Sequence, residues 1–278
     1  MTDGVRVEAG AACGAEYLLC DLYHPDPARA NGTATILLHG GGWRAGDRTM
    51  MADPATALAG HGFLAVALEY RLLGAAPWPA PLDDTKAAVR WLRGNAGRFG
   101  IDPEQIAFTG FSAGAHLALL AAGTADGGER ATDSAHHDVP ERVAAVAAFF
   151  PPTRLGSGQA RMLGLTPEAA RAASPITHAA ASFPPTLLLH GTDDTMVPHS
   201  ASVQMFDALI AAGAAADLRL YAGLPHEFQQ LPGLLEPTMA DVAAFFERQV
   251  VQRERFEAAR DAMQRRWEER MQAVRAGG

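Results

Sequence analysis

The sequence predicts an α/β fold in which helices cover both faces of a mostly parallel central sheet. Short apolar runs alternate with helix-compatible stretches along most of the 278 residues. Parallel strands need crossover connections, usually helices, so this alternation favours such a sheet. With 48% hydrophobic and 19% charged residues, the chain has enough apolar surface for a large core, which excludes general disorder.

The elements can be placed in order from their periodicity and from turn residues. Proline near the start and basic residues near the end favour a helix over 81–99, and a run without Gly or Pro from 238 to 276 predicts one long C-terminal helix. Two strands are expected before residue 27, and further strands at 34–39, 63–69, 105–109, 143–150, 186–190 and 218–221. Two further helices are expected at 54–62 and 113–122.

Two stretches interrupt the alternation. Residues 123–140 are polar and glycine-rich, which predicts an exposed loop, and residues 153–184 are a candidate small cap over the C-terminal edge of the sheet. We expect residues 1–250 to form one catalytic domain and residues 251–278 to form a charged helical extension.

The extension carries seven Arg against five Asp or Glu, and one apolar stripe recurs at helical spacing. The stripe indicates either a homodimer through this helix or a helix folded back onto its own domain, and the sequence leaves both open. Its members are Phe256, Ala259, Met263, Trp267, Met271 and Val274.

Charge and composition exclude several classes of partner. The net charge of -8 is opposite in sign to a surface that binds phosphates, which argues against nucleic acid. The N-terminus lacks a signal-peptide pattern and no window is apolar enough to span a bilayer, so we expect a soluble, cytoplasmic protein without a membrane partner. Cys13 and Cys20 are too few for a disulfide framework or a four-ligand zinc site, and no disulfide is predicted. The adjacent pair His136 and His137 lacks spacing at which both rings converge, so we expect no metal and no organic cofactor.

The strongest functional motif is Gly-Phe-Ser-Ala-Gly at 110–114, between a predicted strand and a predicted helix. A bare match to Gly-x-Ser-x-Gly also suits a tight packing turn. In a strand-turn-helix context, however, the motif presents the serine hydroxyl above the sheet edge. The helix N-terminus that follows favours developing negative charge, so Ser112 is the expected nucleophile.

A second motif, His-Gly-Gly-Gly-Trp at 39–43, directly follows a predicted buried strand. Consecutive glycines let backbone N–H groups approach a substrate oxygen. We expect an oxyanion hole formed by the N–H groups of Gly41, Gly42 and Ala113. A phosphate-binding loop is disfavoured because the Lys and Ser/Thr of a Walker motif are missing. Trp43 is either a pocket wall or a packing residue.

The order of these motifs resembles that of the α/β-hydrolase superfamily, in particular its esterase and lipase branch with the HGGG motif. Further similar stretches are Glu-Tyr-Arg-Leu at 69–72, Phe-Gly-Ile-Asp-Pro-Glu-Gln-Ile at 99–106 and Gly-Phe-Ser-Ala-Gly-Ala-His-Leu-Ala at 110–118. They are similar to small carboxylesterases grouped with feruloyl-esterase-like and arylformamidase-like enzymes, and share features with the hormone-sensitive-lipase-like group. The likeness covers nearly the whole chain.

The resemblance implies an acid after a later strand and a histidine after the last one. By this similarity Asp194, three residues before Val-Pro, is the orienting carboxylate, with Asp193 as the alternative. His226 in Leu-Pro-His-Glu-Phe is then the general base. Phe111 and Arg154 join Trp43 as candidate substrate-pocket residues; Arg154 stands where family members often carry an acid.

The remaining histidines have packing roles in this interpretation. His39 and His190 stand at strand ends before glycine, where a ring bonded to the backbone is expected, and His116 is expected to pack on the helix after Ser112.

These assignments imply a serine hydrolase that cleaves carboxylic esters of small substrates through an acyl-enzyme, without a cofactor. Three alternatives stay open at this point: arylformamidase-type amide hydrolysis, biosynthetic acyl transfer or cyclisation with the same triad, and a non-catalytic ligand-binding relative. Amide hydrolysis is less favoured because that group typically has an aromatic residue at the position of Gly42. The presence of His226 favours an enzyme over a ligand-binding relative.

Overall fold

A single sheet of eight strands organises the computed structural model, which describes residues 4–125 and 138–276. The strands are β1 (Arg6–Ala12), β2 (Leu19–His24), β3 (Ala34–Leu38), β4 (Leu64–Leu68), β5 (Ile106–Phe111), β6 (Ala145–Phe149), β7 (Thr186–Gly191) and β8 (Ala216–Tyr221). Their spatial order is β1-β2-β4-β3-β5-β6-β7-β8. The first two are antiparallel to their neighbours and the other six run parallel. The predicted α/β fold with a mostly parallel sheet is confirmed.

Helices connect the parallel strands. They are α1 (Ala52–Gly60), α2 (Ala80–Gly94), α3 (Ala96–Phe99), α4 (Ala113–Gly123), α5 (Ser157–Leu163), α6 (Pro167–Ala172), α7 (Ser200–Ala211), α8 (Leu235–Phe246) and α9 (Arg253–Ala276). Short 3₁₀ turns lie at Arg48–Met51, Pro175–His178 and Phe228–Gln230. The predicted helix over 81–99 is divided at Asn95, whose side-chain amide donates to the Trp91 carbonyl.

Alternating side chains of the buried strands supply two cores, one on each face of the sheet. On β3, Ile36 and Leu38 join the core that includes residues of α2 and α4, whereas Leu37 joins the core that includes residues of α1 and α8. The central strands are therefore apolar on both sides. This burial fixes the sheet as a rigid base for the loops at its C-terminal edge.

The long C-terminal helix is not continuous. A π-helical turn at Glu247–Val251 follows α8, and Gln252 separates it from α9. The predicted long C-terminal helix is confirmed as α9, whereas its predicted start at 238 was wrong. Arg248 in the π-helical turn forms an ion pair with Asp217 on β8, with 2.8 Å between nitrogen and oxygen. This contact holds the turn against the domain, and α9 continues beyond it.

The two predicted interruptions differ in what the structure describes. Most of 123–140, with His136 and His137, lies outside the described residues. The segment 153–184 carries α5 and α6, and Arg44 donates to the Met162 carbonyl at 3.4 Å, so α5 lies beside the loop after β3. Within the described ranges, none of the helices combines the length and apolarity that a bilayer crossing requires.

Candidate active site

Four loops at the carboxyl ends of parallel strands bring the predicted catalytic side chains together. The glycine motif follows β3, and Ser112 follows β5. Asp194 follows β7, and His226 follows β8. In open α/β sheets this edge is where ligands bind, so the strand directions alone place all four segments on one side of the molecule.

Ser112 lies in a sharp turn between β5 and α4. Its φ of 52° and ψ of -115° are unusual for a residue with a side chain. Its N–H donates to the Phe149 carbonyl at 2.9 Å, and its carbonyl accepts the first bond of α4 from His116 at 3.0 Å. A methyl group on Gly114 would overlap the Leu38 carbonyl, so glycine there lets α4 begin directly against β3. These constraints hold the serine hydroxyl at the sheet edge.

Ser112, His226 and Asp194 form a continuous hydrogen-bonded chain. The His226 Nε2 atom lies 3.0 Å from Ser112 Oγ, and its Nδ1 atom lies 2.6 Å from Asp194 Oδ2. Because the carboxylate only accepts, the ring proton belongs on Nδ1, and Nε2 is free to accept the serine proton. This is the geometry that a general base needs.

Asp194 is held ionised by its surroundings. Burial would raise the pKa of this carboxyl, but the hydrogen bonds from His226 and from the N–H groups of Val197 and Met196 outweigh burial and lower the pKa. The two backbone donors reach Asp194 Oδ1 at 2.9 and 2.8 Å. One oxygen is thus fixed by the backbone while the other faces His226. Asp193, the alternative acid, has an exposed side chain.

The acid loop and the histidine loop are joined through the backbone. Asp193 N–H donates to the Leu224 carbonyl at 3.0 Å, and Thr192 N–H donates to the Tyr221 carbonyl at 2.9 Å. A methyl group on Gly191 would overlap the Leu224 carbonyl, so this close approach requires glycine. The distance between Asp194 and His226 therefore depends on loop contacts as well as on the strands.

The glycine motif lies against Ser112 with free backbone donors. A methyl group on Gly40 would lie 3.4 Å from Ser112 Cβ, and one on Gly41, where φ is 109°, would overlap the Ala45 carbonyl. Within residues 4–125 and 138–276, no oxygen accepts a hydrogen bond from the N–H of Gly41 or Gly42. As the first residue of α4, Ala113 has an N–H without an intrahelical acceptor. Three unused donors thus lie on the two segments that flank the serine.

Two residues beside the hydrogen-bonded chain make contacts that the sequence reasoning missed. His190 Nε2 lies 3.2 Å from Asp194 Oδ2 and 2.9 Å from the Val197 carbonyl, and its Nδ1 lies 2.7 Å from Ser202 Oγ. Burial lowers the pKa of His190, so the ring is neutral and carries its proton on Nε2, facing two acceptors. Phe150 packs on His226 with ring centroids 4.4 Å apart. The four-residue spacing from His190 to Asp194 was the available clue to the first contact.

Two of the three candidate pocket residues are interior. Phe111 is only 2% exposed and stacks on Phe149, so it supports the serine turn from within the core, and its assignment to the pocket was wrong. Trp43 is buried, and its ring lies edge-on to the ring of His116 with centroids 5.1 Å apart. Of the two roles expected for Trp43, these contacts favour packing over a pocket wall.

Arg154 is exposed and lines a groove of about 630 Å³ on the segment that carries α5 and α6. No residue of the hydrogen-bonded chain lines that groove. Among the described residues it has no carboxylate partner within ion-pair distance. Its role toward substrate stays a prediction.

His39 and His116 have the packing roles that the sequence predicts for them. His39 Nδ1 lies 2.7 Å from the Gly40 carbonyl, and its ring stacks on Tyr70. His116 Nε2 lies 2.8 Å from the Ala173 carbonyl, and complete burial lowers the pKa of His116 to about 4. Both rings therefore pack next to the site without reaching the serine. Cys13 and Cys20 are both free and buried.

Comparison with known proteins gives the chain a family. A family model described as BD-FAE matches residues 20–209, which is more than half of the chain and contains both the glycine motif and Ser112. The chain belongs to the BD-FAE family. This match, together with the esterase names of the relatives and solved structures described next, confirms the resemblance to the carboxylesterase branch of the α/β hydrolases.

Curated relatives of this BD-FAE member carry esterase names. The probable carboxylic ester hydrolase LipM of Mycobacterium tuberculosis is 32% identical over 231 residues, 76% of this chain and 51% of LipM. The chain spans about half the length of the curated relatives it matches.

Solved esterase structures share the fold over nearly their whole length. A truncated carbohydrate esterase from gut microbiota has a TM-score of 0.75 at 27% identity, covering 89% of this chain and 97% of that one. The thermophilic esterase Est2 of Thermogutta terrifontis has a TM-score of 0.75 at 26% identity, and the match covers 90% of this chain and 93% of Est2. Est2 has also been solved with propionate and with butyrate bound.

Proposed function

We propose that this chain is a serine carboxylesterase in which Ser112 is the nucleophile, His226 the general base and Asp194 the orienting acid. The observation that carries the proposal is the hydrogen-bonded chain from Ser112 Oγ through both ring nitrogens of His226 to Asp194 Oδ2. The BD-FAE family and the esterase names of its relatives support the reaction class. Residues 1–250 form the proposed catalytic unit, since every assigned residue lies within them.

In acylation, Ser112 Oγ attacks the ester carbonyl carbon while His226 Nε2 takes the hydroxyl proton. The carbonyl oxygen becomes an oxyanion, and the N–H groups of Gly41, Gly42 and Ala113 are the donors proposed to bind it. Each such donor contributes about 3 kcal/mol of transition-state stabilisation in comparable sites. The tetrahedral intermediate then breaks the bond to the alcohol oxygen, which leaves with the proton from His226.

In deacylation, a water molecule takes the place of the departed alcohol beside His226. Nε2 accepts a proton from that water as its oxygen attacks the acyl carbon. The second intermediate collapses, the carboxylic acid is released and the proton returns to Ser112 Oγ. Asp194 stays ionised throughout and stabilises the imidazolium that forms in each half of the cycle.

The proposed substrates are esters of short acyl chains. The acids bound to Est2, propionate and butyrate, are the carboxylic products that such esters would release. Met162 of α5 is a neighbour of the glycine loop, since a methyl group on Gly42 would lie 4.0 Å from its sulfur.

The test compares turnover of p-nitrophenyl acetate, butyrate and octanoate by wild type and by Ser112→Ala. Wild type is expected to release nitrophenol with kcat/KM falling toward octanoate. Ser112→Ala is expected to lose at least about 10³-fold in kcat, because only binding and oxyanion contacts remain.

A fluorophosphonate probe gives an independent measurement, since it should add one covalent group to wild type and none to the alanine variant. Equal turnover by the two proteins, or labelling of the variant, would show that Ser112 is not the nucleophile. Turnover that is highest with octanoate would contradict the short-chain assignment while leaving the triad intact.

A further inference from the structure

Glu227, the residue after His226, has a backbone conformation that is unusual for a residue with a side chain. Its φ of 57° and ψ of 28° lie in the left-handed region, which glycine adopts freely and other residues adopt at a cost in folding free energy. The other non-glycine residues with a positive φ, among those that the structure describes, are Trp43, Ser112 and Phe150. All three adjoin the site. Strain of this kind collects at functional positions, so the conformation of Glu227 indicates a function for its side chain.

The carboxylate of Glu227 lies on the same side of the glycine loop as the proposed nucleophile. A methyl group built on Gly40 would lie 3.8 Å from Glu227 Oε1 and 3.4 Å from Ser112 Cβ. The side chain of Glu227 is half-buried, so it is neither enclosed in a core nor free in solvent. The carboxylate therefore stands beside the segment whose N–H groups are proposed to bind the ester oxygen.

No group of the protein uses this carboxylate within residues 4–125 and 138–276. Neither oxygen of Glu227 accepts a hydrogen bond or forms an ion pair there. Asp194, the acid of the neighbouring loop, is by contrast bound by two histidine rings and two backbone N–H groups. Arg44, the cation next to the glycine motif, donates to the Met162 carbonyl at 3.4 Å. The carboxylate of Glu227 is thus available to a group on the substrate.

The charge of Glu227 distinguishes between kinds of substrate. Acyl transfer places a negative charge on the carbonyl oxygen, and an unpaired carboxylate close to that oxygen raises the free energy of the transition state. A substrate with a positive charge near its ester removes this cost, because the cation pairs with the carboxylate. An ionised carboxylate only accepts hydrogen bonds and repels other anions, so an ammonium group is the partner that its chemistry fits.

The position of Glu227 in the chain indicates which part of the substrate carries the cation. His226 has to reach the oxygen of the leaving alcohol in order to protonate it. Glu227 is joined directly to His226, and the 3₁₀ turn that follows is anchored by the buried side chains of Phe228 and Gln229. An alcohol with a short chain between its oxygen and its ammonium group can therefore contact both side chains at once.

We propose that Glu227 is a specificity-determining residue, which binds an ammonium group on the alcohol part of the ester. The inference rests on the proposed function, since it assigns a substrate class to the same serine site. The substrate class is esters of short amino alcohols, including alcohols with a quaternary ammonium group. The acyl group is short and uncharged.

The test uses two thioesters of the same shape that differ in one charge. Acetylthiocholine carries a quaternary ammonium group, and in its neutral isostere a carbon atom replaces the ammonium nitrogen. Hydrolysis of either thioester releases acetate and a thiol, and the thiol is measured by its reaction with an aromatic disulfide. Wild type is expected to hydrolyse acetylthiocholine with a kcat/KM about 10-fold higher than that of the isostere, because one partly screened charge pair forms.

Glu227→Gln keeps the size of the side chain and removes its charge. The ratio of the two kcat/KM values is expected to fall to about 1 in this variant, because the charge pair is lost. The fall should come from acetylthiocholine, whereas turnover of the isostere should rise because the carboxylate no longer repels the oxyanion. Asp193→Asn is the matched control: it removes an exposed carboxylate from the neighbouring loop and is expected to keep the wild-type ratio.

Four results would overturn the assignment of Glu227 and leave the esterase proposal standing. They are equal kcat/KM values for the two thioesters in wild type, a ratio that Glu227→Gln does not change, a parallel fall with both thioesters in that variant, and no turnover of either thioester by a wild type that hydrolyses p-nitrophenyl acetate. A loss of the ratio in Asp193→Asn as well would assign the preference to the net charge of the protein. Equal turnover of both thioesters by Ser112→Ala and wild type would instead refute the proposed function itself.

Discussion

Replacing Asp194 by asparagine should abolish most turnover for a reason that the geometry makes specific. Asp194 Oδ1 accepts two backbone N–H groups, so the amide oxygen of asparagine must take that position. The amide nitrogen then faces His226 Nδ1, where Asp194 Oδ2 now lies at 2.6 Å. An amide N–H in that place donates to Nδ1 and leaves the ring proton on Nε2.

With its proton on Nε2, His226 can no longer accept the proton of Ser112 Oγ, which lies 3.0 Å from that nitrogen. A triad with the wrong tautomer loses about 10⁴-fold in kcat. This corresponds to a rise of about 5 kcal/mol in the activation free energy. KM should change little, because Asp194 is buried behind the histidine and does not face the substrate.

The assay is steady-state hydrolysis of p-nitrophenyl acetate, with circular dichroism and thermal melting to establish that the variant is folded. Asp193→Asn is the matched control: it makes the same change at the next residue, whose side chain is exposed, and it should keep wild-type turnover. If Asp194→Asn retains kcat within a few-fold of wild type, or if Asp193→Asn falls as far, the assignment of the acid is refuted.

Three further perturbations test the surroundings of the triad. Gly41→Ala should lower kcat about 10²-fold or more with a folded protein, because the added methyl group overlaps the Ala45 carbonyl and displaces the loop; undiminished turnover would exclude this loop from oxyanion binding. His190→Phe removes the hydrogen-bond donor to Asp194, and should lower kcat and move the acid limb of the pH–rate profile to higher pH. His190→Gln keeps an N–H donor and should restore part of kcat and part of the profile. If the profile of His190→Phe does not move, His190 has only a structural role. The pKa of His116 is near 4 when folded, so the unfolded chain binds a proton that the folded chain does not as pH falls from 6.5 toward 4, and stability is lost over that window. Between pH 7 and pH 4.5 the free energy of unfolding, measured with urea, should fall by about 2 kcal/mol less in His116→Gln than in wild type. Equal falls in the two proteins would contradict the low pKa of the folded His116.

Most of the sheet could be predicted from sequence because its strands are short apolar runs bounded by turns. The buried strands have apolar residues on both faces, which is typical of a parallel sheet covered by helices. The order of the motifs also indicated which segments meet, because each motif follows a strand and the carboxyl ends of parallel strands lie at the same edge of the sheet. The resemblance, and not periodicity, favoured Asp194 over Asp193; that the side chain of Asp194 is buried and that of Asp193 exposed could not be read from the sequence.

The features that sequence missed depend on tertiary contacts. No glycine or proline marks the break between α8 and α9. The break is instead accompanied by an ion pair from Arg248 to Asp217 on β8 and by a hydrogen bond from Gln252 N–H to the Glu247 carbonyl. Phe111 was misplaced because a motif position does not say which way a side chain faces. As the last residue of β5, Phe111 alternates with its neighbours and joins the core.

The backbone at Ser112 has a consequence for anyone who engineers this chain. A positive φ of 52° at a non-glycine residue costs about 1–3 kcal/mol of folding free energy, and glycine would adopt it freely. The residue proposed as the nucleophile is therefore also a position at which a substitution can raise the stability of the fold. A selection for thermal stability alone would enrich Ser112→Gly. Each round of such a selection therefore needs a second screen, for ester turnover.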